Sequence, residues 1–313
     1  MNRREFIGTG LLALPALGGC DPRRSAAAAS GAPPVALATA DTESHVAVVG
    51  LTSGRILQRV RTVEGPRSIQ GRAGVVAVCA HTKLGKLSLL ERDSSGRVHV
   101  RGVLGGFGEP RYAVIAGRFA FVTDSATGEV ATVDLVRARV VHRAPVGDLA
   151  RHVTQRGSTL FVGLGSSAAH VVAVDVGNPH APRVIRRIAP RFLVHDVAVA
   201  PDGRLWMTAG RERRIALHGG PELAADEAPQ HVTFGPSRAY VASGDGGSVR
   251  VHGLDGRLLR TVRVPRGSYN VQRAGAFVLT PSLGTGSLTI LGARGHVLHE
   301  VRVAAAAHDA CVL

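Results

Sequence analysis

An all-β fold, a seven-bladed β-propeller whose ring is closed by its own two ends, is what this 313-residue chain predicts, on three observations. A short polar start to an apolar strand recurs seven times at intervals of roughly 35 to 45 residues, the period of a repeat architecture. Three further short strands follow each start, parted by Gly, Asp, Ser and Thr turns. The ends are also complementary: the first blade has no first strand, and the last residues form a first strand with nothing after it.

The starts are Pro66-Arg67-Ser68-Ile69, Pro110-Arg111-Tyr112-Ala113, Ala150-Arg151-His152-Val153, Val194-His195-Asp196-Val197, Pro229-Gln230-His231-Val232, Ser268-Tyr269-Asn270-Val271 and Ala307-His308-Asp309-Ala310. They divide the chain into blades at residues 35–65 with 308–313, 66–109, 110–149, 150–194, 195–228, 229–267 and 268–307. In the first blade, residues 35–39, 45–51 and 55–63 read as the second, third and fourth strands, so pairing of 309–313 with the 35–63 strands closes the ring and leaves only short edges. The third blade reads as strands 112–115, 119–123, 129–135 and 139–146. The sixth reads as 231–234, 239–243, 248–254 and 258–264, with the hairpin signal Asp255-Gly256 between its outer strands. The seventh reads as 269–272, 276–280, 287–291 and 297–303. In the fifth, Glu222-Leu223-Ala224-Ala225 is a poor candidate for an outer strand.

Residues 1–19 read as an address rather than as part of the fold. Asn2-Arg3-Arg4-Glu5-Phe6-Ile7 resembles the twin-arginine export signal, and residues 11–17 supply an apolar run too short to span a bilayer. Leu17-Gly18-Gly19-Cys20 resembles the bacterial lipobox, which implies acylation of Cys20 and anchoring at the outer face of the cytoplasmic membrane. Residues 20–34, rich in Ala, Pro and Ser, read as a tether, and 35–313 as the propeller.

The pattern of Pro or Ala, two polar residues and an apolar one resembles the YVTN/YncE-type repeat family. It is joined by turns such as Pro201-Asp202-Gly203, second strands such as Ala239-Tyr240-Val241-Ala242-Ser243 and third strands ending Val133-Asp134-Leu135 or Val174-Asp175-Val176. The resemblance covers residues 35–313 and implies a seven-bladed propeller, related to the WD40-like superfamily, that scaffolds recognition without prescribing a reaction. WD40 itself is disfavoured, because no Trp-Asp dipeptide closes the strands.

The formal charge of +15 comes from arginines spread over every blade, with Lys83 and Lys86 the only lysines. That spread argues against a nucleic-acid groove and for an anionic envelope surface as the general partner. The partners expected are the membrane through the lipid anchor and an anionic small molecule, envelope polymer or envelope protein, with no nucleic acid; the protein is expected to be monomeric. Cys79 and Cys311 sit in apolar runs and read as buried thiols, with a disulfide between them as the alternative. There is no CxxC, no haem-binding CxxCH and no phosphate-cradling motif.

Equivalent positions at the blade starts form two rings around the channel. The first holds Arg67, Arg111, Arg151, His195, Gln230, Tyr269 and His308; the second holds Ser68, Tyr112, His152, Asp196, His231, Asn270 and Asp309. Strand alternation predicts that one ring lines the channel while the other is wedged between blades. Arg67, Arg111, Tyr112, Arg151, His195, Tyr269 and His308 are therefore candidates for ligand binding, the arginines on three consecutive blades offering forks for a carboxylate or phosphate. His152, Asp196 and His231 offer two imidazoles and a carboxylate to a divalent metal or copper. The plainer reading is that these groups bond neighbouring backbone and hydrate the channel. The expectation is thus a binding or protein-interaction scaffold, with no catalytic residue assigned; the alternative is a metal-dependent oxidoreductase or hydrolase at the channel mouth.

Overall fold

The computed structural model describes residues 33–72, 75–165 and 170–313; the segment expected to be an export signal, Cys20 and most of the expected tether lie outside them. Seven four-stranded antiparallel sheets succeed one another around the ring. Six are contiguous in sequence. The seventh is assembled from both ends, in the order Ala307–Val312, Val35–Ala40, His45–Gly50, Ile56–Arg61. The closing strand pairs Ala36 with Val312, Leu37 with Cys311 and Ala38 with Ala310, and Val35 and Leu313 exchange backbone bonds at the end of the ladder.

The apolar patterning follows from each blade being sandwiched by two others. Middle strands such as Val35–Ala40, Val76–His81 and Ser287–Gly292 are buried on both faces and read as continuous apolar runs. Outermost strands alternate: in Ile56–Arg61, Val60 is buried while Arg59 and Arg61 are exposed. The core is accordingly seven separate wedges, one per blade interface. At the interface beside the closure, Leu37, Val46 and Val48 pack on Ile69, Ala77 and Leu90. Gly71 lies so close to the closing strand that a methyl there would overlap the Val312 carbonyl oxygen.

Two details depart from the expected strands. Glu222–Ala224 does form the outer strand of the fifth blade despite its weak propensity: Leu223 pairs with Ile215 and packs on the adjoining wedge, and Glu222 accepts from the Arg214 guanidinium at 3.2 Å. The inner strand of the seventh blade is only Gln272–Ala274. Residues 269–271 lie outside the ladder, and the Asn270 side-chain amide donates to the His308 carbonyl at 2.6 Å, tying that segment to the first blade. Cys79 and Cys311 are free and buried in one wedge, and burial pushes both thiols up, which keeps them protonated and inert.

Deleting Ala307–Leu313 removes one strand of a blade together with Cys311 and Leu313 from one wedge and Ala307 and Ala310 from the next, so the chain is expected to lose its cooperative thermal transition. A melting curve that survives the deletion would show that the ring holds without its closing strand.

Candidate functional site

The inner strands begin around one end of the channel, and the side chains there are set by a recurring threonine. Thr39, Thr123 and Thr208 each stand next to last in the second strand of a blade. Their hydroxyls accept from the backbone N–H of Asp309, Tyr112 and Asp196 in their own blades, at 3.0, 3.1 and 3.1 Å. They donate to the carbonyls of Arg67, Arg151 and Gln230 in the next blade. Each threonine thereby pins a second-ring residue to a first-ring residue across an interface. This latch was not picked out from the sequence; the signal for it is a threonine in an otherwise apolar strand.

Two aspartates do a similar job. Asp196 accepts from the N–H of Val197 at 2.8 Å and from Val232 of the next blade at 3.0 Å. Asp309 accepts from Ala310, from Ile69 of the next blade and from the Gln272 amide, at 2.8, 3.0 and 3.2 Å. Burial raises the Asp309 carboxyl to about 6 even with these donors.

The latches bring three histidines together. Ring nitrogens of His152, His195 and His231, from three consecutive blades, all lie within 4.8 Å of one another. Ring centroids are 4.6 Å apart for His152 and His231, 4.9 Å for His152 and His195, and 6.0 Å for His195 and His231. His152 is 1% exposed, and neither ring nitrogen has a hydrogen-bond partner among the described residues. Burial, then the charges of His231, His195 and Arg151, hold its proton affinity well below the usual imidazole range, so it is neutral with a lone pair to offer. Burial likewise lowers His195 to about 3. His231 is oriented from both sides: Nδ1 stands 3.4 Å from an Asp196 oxygen, and Nε2 lies 3.2 Å from the Tyr112 hydroxyl. Tyr112 stacks at 4.3 Å on His152.

The two rings do not separate as strand alternation predicts. His195 belongs to the first ring, His152 and His231 to the second, yet they converge. The reason is local: the inner strands of the third and sixth blades carry bulges, where Arg111 and Tyr112, and likewise Gln230 and His231, face single partner residues. His195 and His152 also precede the first paired residues of their strands, Asp196 and Val153, so the period of two does not govern them.

The remaining candidates fall in other surroundings. Asp196 lies beside His231 and supports it, while its place in the cluster is taken by His195. Arg67 donates to both oxygens of Asp41, at 3.1 and 2.9 Å. Arg111 donates to Ser125 at 2.8 Å and to Glu109 at 2.9 Å. His308 contacts the Arg67 carbonyl at 3.0 Å and knits the closure. Tyr269 bonds Asp245 on the exposed rim, which raises its hydroxyl to about 12. Arg151 has no side-chain partner among the described residues, and its Nε is buried.

Two cavities flank the histidines. One, of about 300 Å³, is lined by His195, Arg151 and Gln230 with an outer rim of Arg211, Glu212 and Asp245. The other, of about 230 Å³, is lined by His152, His231, Tyr112 and Asp196.

No protein-family model matches this sequence, and no curated protein matches it. Solved structures do. A functionally unknown protein from Desulfotomaculum acetoxidans superposes with a TM-score of 0.76 at 11% identity, covering 89% of this chain and 98% of that one. Apo AztD from Citrobacter koseri does so with 0.66 at 12%, covering 90% and 97%. A putative 6-phosphogluconolactonase from Bacteroides uniformis gives 0.64 at 16%, covering 74% and 83%. At these identities the likeness is one of fold. The chain is a seven-bladed β-propeller.

The buried histidines make stability depend on pH. An unfolded chain protonates its imidazoles near 6.5, whereas the folded chain keeps His195 neutral to about 3 and holds His152 and His308 well below the ordinary value. The unfolded state therefore binds more protons below 6.5, so this stabilisation is complete above that pH and is lost as pH falls through the window. Asp309 acts oppositely between 3.8 and about 6, but it is one group against three. The melting temperature is expected to fall between about pH 7 and about pH 4.5, with His195 contributing about 2 kcal/mol of the loss. Calorimetry of His195→Asn should show a flatter pH dependence; a slope equal to wild type would assign the acid sensitivity elsewhere.

Proposed function

We propose that this protein is an envelope-held binding propeller that captures a divalent transition metal on His152, His195 and His231. The observation that carries the reading is the convergence of three imidazoles from three blades, one of them fully buried with both nitrogens unpartnered. An unpaired buried polar group is costly, and three clustered imidazoles suit zinc, copper or nickel better than the oxygen-seeking cations. Asp196 behind His231 supplies the carboxylate that fixes a ligating histidine. A metal held this way would act as a Lewis acid or as cargo. The chain's own part is to present lone pairs, exclude competing donors and hold the rings in place.

The catalytic alternative has less support. Asp196 and Asp309, the carboxylates nearest the histidines, accept bonds from backbone N–H groups, which leaves them poorly placed to move a proton for a substrate. The envelope part of the reading rests on Arg3-Arg4, the apolar run and Cys20 in the sequence. A folded-state export route suits a site whose ligands come from three separate blades.

Calorimetric titration with zinc is expected to show one metal bound per wild-type chain. In His152→Ala and His231→Ala the affinity should fall more than about 100-fold, since even outer-shell changes cost 10 to 100-fold. Circular dichroism should show the fold kept, and absence of stoichiometric binding to wild type would overturn the reading. Labelled palmitate is expected in the wild-type chain and not in Cys20→Ser, with the protein moving from the membrane to the soluble fraction.

A further inference from the structure

Three arginines on consecutive blades meet at the channel mouth, and they are not equivalent. Arg67 is neutralised by Asp41 and Arg111 by Glu109. Arg151 has no acidic partner among the described residues, and its Nε is buried without a hydrogen bond. An unpaired, partly buried guanidinium is an expensive group unless something fills its fork.

Arg151 also faces the histidines. It shares the 300 Å³ cavity with His195, whereas His152 and His231 line the cavity on the other side. Imidazole ligands bring a dication no compensating negative charge, so with Arg151 beside it the local charge would be strongly positive. Three protein ligands also leave a tetrahedral metal one position short. Both deficits are met by one small anion entering from the Arg151 side.

We infer that the cavity between Arg151 and His195 takes a small monocarboxylate, which bridges the guanidinium and a metal on His152, His195 and His231; this rests on the metal reading above. The class is limited by the rim. Glu212 and Asp245 carry negative charge at its exposed edge, Asp245 already accepting from Tyr269, and Arg211 offsets only one of them. A polyanion would meet those carboxylates, while a small singly charged acid reaches Arg151 past them.

Cobalt(II) is the metal for the test, because its visible spectrum reports a change of ligand directly, and acetate is the anion. With wild type, acetate should shift the cobalt spectrum in a saturable way. Arg151→Gln should weaken acetate at least about tenfold, the range of a lost charge-assisted hydrogen bond. In anion-free buffer the same variant should bind cobalt more tightly than wild type, because a repelling charge has gone. Failure of wild type to bind cobalt overturns the metal reading itself. Cobalt binding with no spectral response to acetate, or an acetate affinity unchanged in Arg151→Gln, overturns the anion site alone. Should the Gln variant lose cobalt, Arg151→Lys, which keeps charge but not the fork, is read by the same acetate titration, and unchanged affinity there also overturns it.

Discussion

The ladder between Ala307–Val312 and Val35–Ala40 is the contact on which the ring depends. Without it the first blade loses its inner strand, and the wedges on both sides of that blade lose a wall. The same strand carries His308 and Asp309, which reach the second blade through the Arg67 carbonyl and the Ile69 N–H. Closure is therefore both a backbone ladder and a set of side-chain bonds, made between residues at opposite ends of the chain. Contacts of such sequence separation are slow to form and favour all-or-none behaviour.

Around the channel, the apolar wedges hold blades apart at a fixed spacing, and the threonine and aspartate latches set their angular register. A wedge of Val, Leu and Ala is directionless, since dispersion and hydrophobic burial do not distinguish small rotations. A hydroxyl that accepts from one blade and donates to the next does distinguish them. That is why three histidines from separate blades arrive within one coordination sphere, although no two are neighbours in sequence.

Charge is arranged with a comparable division. The arginines that give this chain its +15 mostly stand on outer strands and at exposed turns, where their heads are solvated. At the channel mouth, Arg67 and Arg111 each have an acidic partner from a nearby turn, and the three imidazoles occupy the centre. Arg151 is the exception, so the positive potential of the mouth is concentrated at one guanidinium beside His195 rather than shared among three.

Period and patterning in the sequence by themselves determined the blade count and the terminal closure, because a repeat that buries both faces must write its spacing into apolar runs. Glu222–Ala224 escaped that reading, since a three-residue edge strand with one apolar residue, Leu223, is too short to show a period. The site was legible only in part. His152, His195 and His231 all stood among the ring positions, but His195 was separated from the other two by a rule of alternation that holds inside a ladder and fails at bulges and strand ends. Tertiary structure alone decided which ring residues face one another and which arginine keeps no partner. Those choices rest on hydroxyl and carboxylate bonds across blade interfaces, between residues whose spacing in sequence carries no trace of their meeting.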